Sequence, residues 1–115
     1  MDTDTAPSLN SQAAEVERLP GFGRALAVLR PHKAGPFLGR HPWVYDTAIE
    51  RLEGQCEDGE VVELVSDKRR FIARGIFNSR SKLRIRLYTW EASEPLDDAF
   101  WVGRIRRALA LRSRL

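Results

Sequence analysis

Residues 83–90 (LRIRLYTW) alternate almost without a break, with Leu83, Ile85 and Leu87 on one side and Arg84, Arg86 and Tyr88 on the other. Successive side chains of a strand point to opposite faces, so this segment fits a sheet with one face in a core and the other toward solvent. The segments before it agree. Residues 60–65 (EVVELV) and 69–77 (RRFIARGIF) read as strands, bounded by the turns Ser66-Asp67-Lys68 and Asn78-Ser79-Arg80-Ser81. Gly75, inside the second of these, predicts a bulge or a close backbone approach. Residues 24–30 (RALAVLR) end at Pro31 and suit a first strand. Lys33-Ala34-Gly35-Pro36 is expected to turn, and Phe37-Leu38-Gly39-Arg40 to form one short helical turn before His41-Pro42. Strands at such short spacing, joined by tight turns, predict a mainly β fold: a small antiparallel barrel or roll.

After Pro95 the pattern changes. Asp97 and Asp98 open a helical segment, where their charge complements the positive helix start. Trp101, Ile105, Ala108 and Leu109 share a face at helical spacing, and Arg104, Arg106, Arg107, Arg112 and Arg114 accompany them with no acidic residue beyond Asp98. An uncapped apolar stripe running to Leu115 is expected to belong to something larger. The chain therefore divides into an acidic, unstructured leader over residues 1–20, a β domain over 21–93, and a helix over 94–115 that begins a further domain.

Length and charge bound the function. A chain of 115 residues suits one small domain. Its net charge of +3 is uneven, since Asp2, Asp4, Glu15 and Glu17 outweigh Arg18 in the leader. A basic folded part favours an anionic partner such as nucleic acid. Cys56 is the only cysteine, which excludes an internal disulfide and a thiolate zinc site. It lies in an acidic turn, Glu53-Gly54-Gln55-Cys56-Glu57-Asp58-Gly59, where carboxylates disfavour a thiolate nucleophile. His32 and His41 alone are too few for a metal site. Asp97 and Asp98 are adjacent on a helix and point apart, so they do not form a catalytic pair. There is no Gly-rich loop between a strand and a helix. With no secretory signal and no apolar run long enough for a bilayer, a soluble protein of the reducing cytoplasm is expected, without membrane contact.

What remains is a surface for holding RNA. In Arg40-His41-Pro42-Trp43-Val44-Tyr45, basic and aromatic groups surround a rigid proline. Cations neutralise phosphates, and aromatic rings and guanidinium planes stack on bases. Arg40 and His41 fit that role and equally fit a plain turn, whereas Trp43 is expected to plug the core of the small barrel. Arg84 and Arg86, joined by Arg80 and Lys82, could form a phosphate track or a solvated face that discourages edge pairing. Lys68, Arg69 and Arg70 read as a solvated hairpin tip. No catalytic, cofactor-binding or metal-binding residue is assigned.

The segments RHPWVY, DGEVVELVSD and FIARGIFNSRSKLRIRLYTW resemble the N-terminal part of bacterial class I SAM-dependent rRNA large-subunit methyltransferases. The resemblance covers residues 25–115, and its most specific pieces are His41-Pro42-Trp43-Val44 and Ala73-Arg74-Gly75-Ile76-Phe77-Asn78. It implies a PUA-like RNA-binding barrel ahead of a central domain and a Rossmann-like catalytic domain. It also implies methylation of cytosine carbon 5 in 23S rRNA, with S-adenosylmethionine as methyl donor to the parent enzyme. The helix over 100–115 resembles the first helix of the central domain. Ser79 stands where the family usually has proline, which loosens that turn. The cofactor loop and nucleophilic cysteine would lie beyond Leu115, and Cys56 does not match that nucleophile. The chain alone is therefore expected to bind structured RNA weakly and to be inactive as an enzyme, with its helix contacting a catalytic domain or a second copy. Two other readings fit the same residues: a free-standing RNA-binding adaptor, and a structural or dimerisation module without RNA contact.

Overall fold

A computed structural model describes residues 20–113; the expected leader, apart from Pro20, and the positions of Arg114 and Leu115 lie outside the described residues. Six strands and two helices follow in order: β1 (Ala25–Leu29), α1 (Gly35–Leu38), β2 (Trp43–Tyr45), β3 (Ile49–Glu53), β4 (Val61–Val65), β5 (Phe71–Phe77), β6 (Leu83–Thr89) and α2 (Asp98–Ser113). A three-residue 3₁₀ turn, Asp46–Ala48, joins β2 to β3. The strands form one sheet in the order β2-β6-β5-β4-β1-β3.

That order forces the sheet to curl. Strands β2 and β3 sit at its opposite edges, yet only the 3₁₀ turn separates them in the chain. Six flat strands would place those edges about 24 Å apart, whereas a three-residue 3₁₀ turn covers about 6 Å. The sheet must therefore roll until its edges approach, giving an open barrel. Register shifts at Val28/Leu29, Val44/Tyr45, Leu64/Val65 and Arg74/Gly75 supply the local bends. At the last of these, a Cβ on Gly75 would run into the backbone carbonyl of Arg86, so the expected close approach is present. Inside the barrel pack Ala27, Leu29, Val44, Val62, Leu64, Phe77, Ile85 and Leu87, with Phe37 of α1 closing one end.

The barrel is not wholly antiparallel, as the sequence led us to expect. Strands β1 and β4 pair in parallel, with Ala25 beside Val62 and Val28 beside Val65. A parallel pair needs a long crossover, and α1, β2 and β3 provide it between them. Both β2 and β3 escaped the sequence reading. Strand β2 is three residues long, and β3 (IERLE) places its apolar Ile49 and Leu52 three apart, breaking the period of two. Helix α1 begins two residues earlier than expected, because Pro36 occupies its first turn, where a missing N–H costs nothing.

The outer face of β4 and β5 is closed by an ion pair. Arg74 is 3% exposed and Glu63 13%. Arg74 Nε and Nη2 donate to the two Glu63 carboxylate oxygens at 2.5 and 2.8 Å. The same guanidinium donates to the carbonyls of Ala92 at 2.9 Å and Glu94 at 2.5 Å. It lies 4.6 Å from the Phe22 ring centre and 5.0 Å from that of Phe71. Glu63 also accepts the Gly23 N–H at 2.7 Å, and Leu96 N–H donates to the Gly21 carbonyl at 2.8 Å. The segments on either side of the barrel, 20–23 and 91–96, are thereby strapped over its outside. Helix α2 then starts from Asp97, whose carboxylate accepts the Phe100 N–H at 2.9 Å. Trp101 packs on Tyr88 with ring centres 4.8 Å apart. Ile105 and Leu109, on the expected apolar stripe, are 60% and 57% exposed.

Cys56 sits in the turn between β3 and β4, half-buried. Burial first, then the nearby Glu60 and Asp58 carboxylates, push its thiol up to about 11. The acidic neighbours were legible in the sequence; the larger contribution of burial was not.

Two predictions follow from this packing. Arg74→Met should destabilise the fold by about 3 kcal/mol or more, the scale of leaving a buried carboxylate unpaired. In urea unfolding, Arg74→Met combined with Glu63→Leu should recover a large part of that loss; an equal loss would mean that the strap carbonyls dominate. For Cys56, an unfolded chain releases the thiol proton near 9.0, while the fold retains it to about 11. The unfolded state then binds fewer protons in this window, so the thiol's contribution to stability is whole below pH 9 and declines toward pH 11. Cys56→Ala should flatten that decline in a pH series of thermal melts.

Candidate nucleic-acid interface

Strand β2 docks on β6 and carries the HPWVY segment with it. Trp43 pairs with Arg86 and Val44 with Ile85, and the Leu87 N–H donates to the Pro42 carbonyl at 2.7 Å. In this register Val44 points inward and is fully buried, so Trp43 and Tyr45 must point out. Trp43 is therefore not the expected core plug. Its indole is half-buried on the outer face, with the Arg86 guanidinium 4.1 Å from its ring centre. The alternation of Trp43 and Tyr45 about Val44 was the signal that could have shown this.

Next to β2, the residues of α1 and its flanks form the wall of a cleft of about 470 Å³. His32, Lys33, Phe37, His41, Trp43 and Tyr45 line it, together with Pro36, Thr47 and Ala48. No carboxylate is among them. His32 and Arg40 bracket this segment with backbone φ of 67° and 69°, a left-handed conformation that non-glycine residues rarely adopt. Trp90 fastens α1 from below: its indole N–H donates to the Phe37 carbonyl at 2.7 Å, and the Arg40 guanidinium lies 5.6 Å from its ring centre. His41 lies against Phe37, with ring centres 6.2 Å apart.

The structure thus separates the six candidate residues into two groups. Arg40 and His41 are exposed beside the cleft, where they join Trp43 and Tyr45 of the same segment and also His32 and Lys33, which lie outside the stretch the sequence pointed to. Arg80, Lys82, Arg84 and Arg86 run along β6 and the turn before it. Arg86 lies between Trp43 and Tyr88, 5.3 Å from the latter's ring centre, and its buried Nε has no hydrogen-bond partner. Arg84 bends toward the barrel seam. It meets the Asp46 carboxylate at 3.4 Å, donates to the Ser79 carbonyl at 2.9 Å, and lines a smaller cavity of about 210 Å³ with Ile49, Leu52 and Phe77. Arg80 is held 3.5 Å from Asp58. Lys82 is exposed, and its carbonyl accepts the Asp46 N–H at 2.8 Å. Arg86 therefore links the strand to the cleft, while Arg84 and Arg80 lean on carboxylates.

Among the described residues, no three of His, Cys, Asp or Glu gather as a metal site, and no helix is long and apolar enough to cross a membrane. The described residues do not fit S-adenosylmethionine either. Strand β1 leads into α1 past a single glycine, Gly35, and α1 is four residues long. What the arrangement offers is cations and flat rings around an acid-free cleft, which suits an anion carrying aromatic groups.

Residues 27–90 match the family model described as a PUA-like domain. The chain is 34% identical over 91 residues to a protein of Alteromonas mediterranea named Ribosomal RNA large subunit methyltransferase I. It is 38% identical over 81 residues to a protein of the same name from Salmonella arizonae. These alignments cover 79% and 70% of the chain but only 23% and 20% of the relatives, so the chain spans about a fifth of the length of the curated proteins it matches.

Proposed function

We propose that this chain, which belongs to the PUA-like domain family, is the RNA-holding part of an rRNA methyltransferase. The observation that carries the reading is the acid-free cleft between α1 and β2, where Lys33, His32 and His41 meet Trp43 and Tyr45. An RNA strand presents what such a cleft takes: phosphates for Lys33 and the imidazole N–H groups, and unstacked bases for the rings. Arg40 and Arg86 flank the cleft as further phosphate contacts, with Lys82, Arg84 and Arg80 continuing along β6. Arg84 and Arg80 would exchange their carboxylate partners for phosphate.

The names of the relatives support ribosomal RNA of the large subunit as the partner. On the family resemblance, the parent enzyme methylates carbon 5 of a cytosine in 23S rRNA. S-adenosylmethionine would supply the methyl group, held by residues outside this chain. The barrel's part is to bind and orient: it fixes where the RNA lies, and it performs no chemical step. Residence in the cytoplasm follows from that substrate. The exposed stripe of Val102, Ile105 and Leu109 on α2 supports reading the helix as the start of the next domain, which would cover it.

Binding of 23S rRNA fragments, measured against unrelated duplex RNA at several salt concentrations, tests the proposal. Affinity should fall as salt rises, with a slope reflecting several phosphate contacts. Lys33→Ala with His41→Ala should weaken binding about tenfold, and Trp43→Ala should reduce the preference for unpaired RNA. Salt-insensitive binding, or variants that bind like the parent chain, would leave the barrel with a structural role only.

A further inference from the structure

The side of α2 that faces β6 carries another cationic cluster. Arg104 and Arg107, one turn apart, line a cleft of about 460 Å³ with Tyr88, Phe100 and Glu94. The Arg104 guanidinium lies 5.4 Å from the Tyr88 ring centre and 5.6 Å from that of Phe100. Arg86 approaches the same Tyr88 ring at 5.3 Å. Two cations therefore share one aromatic ring. Among the described residues, no carboxylate lies within ion-pair distance of Arg86, Arg104 or Arg107. Glu94, the one carboxylate lining the cleft, accepts the Thr89 hydroxyl instead. Like charges gathered on a low-dielectric aromatic surface repel one another until an anion neutralises them.

We propose that this cleft binds the phosphodiester backbone of single-stranded RNA, extending onto α2 the surface that begins at the α1–β2 cleft. The inference rests on the RNA reading above. Arg86 belongs to both ends: it touches Trp43 on one side and Tyr88 on the other, so a strand leaving the first cleft meets Arg104 and Arg107 next. Guanidinium groups match two phosphate oxygens at once, and their flat faces accept unstacked bases. An acidic protein segment would use the charge but not the flat faces, so RNA is the better fit.

The test uses the chain with Arg107→Glu, and separately with Arg104→Lys plus Arg107→Lys, binding a short oligouridylate between about 50 and 200 mM salt. Arg107 is exposed and, among the described residues, forms no ion pair, so its variant should melt like the parent. Arg107→Glu should weaken binding about fivefold or more at low salt and lower the salt slope by about one. The lysine pair should keep the slope while losing affinity, because charge remains and the planar fork is gone. If both variants bind like the parent while Lys33→Ala with His41→Ala is weakened, the α2 site falls and the RNA reading stands. If the parent shows no salt-dependent RNA affinity, both fall. Polyglutamate bound as tightly as RNA, and released by Arg107→Glu, would assign the cleft to an acidic protein and overturn the proposal.

Discussion

The Arg74–Glu63 pair holds the outside of the barrel together, and the placement of everything beyond β6 depends on it. A guanidinium that is 3% exposed has lost nearly all its water, and such a charge persists only when its donors are matched. Glu63 takes two of them and the backbone of 91–94 takes the rest. Because those acceptors lie on the segment between β6 and α2, satisfying one buried charge also fixes where that segment runs. The pair thereby couples the core of the sheet to the direction in which the chain leaves it.

That direction matters for the proposed RNA surface. With 91–96 strapped over β5, α2 begins beside the outer face of β6, and Trp101 settles on Tyr88. Tyr88 in turn lies between Arg86 and Arg104, and Arg86 between Tyr88 and Trp43. A row of alternating rings and guanidinium groups results, running from the α1–β2 cleft to the helix. Each cation is held in place by a ring rather than a carboxylate, so its charge is fixed in position but not neutralised. A surface of this kind is ready for an anion, and for one whose bases can use the flat faces.

Much of the fold could be read from local pattern. The alternation in 83–90 gave β6 and its two faces, Gly75 announced the close approach to Arg86, and Asp97 marked the start of α2. What stayed hidden depends on residues distant in sequence. No pattern in β2 says that its three residues will pair with β6, and without that register Trp43 has no reason to face outward. The parallel pairing of β1 with β4 is likewise set by the crossover and not by either strand. Arg74 looked like one more basic residue in a strand; that it is buried follows only from Glu63, eleven positions away, and from the strap. For the candidate site, Arg40 and His41 were visible because they adjoin the aromatic segment. Lys33 and His32 were not, since α1 folds back to bring them there.

On the proposed reading, RNA lies on one side of this barrel, along α1, β2, β6 and the adjoining side of α2. Backbone amide NMR shifts recorded while unpaired rRNA fragments are titrated in would test it most directly. Perturbations should concentrate at residues 32–45 and 82–90 and extend onto α2 around Arg104 and Arg107, with the turn around Cys56 and the hairpin tip at Lys68 to Arg70 unchanged. Perturbations centred on those two turns, or none at all, would contradict it.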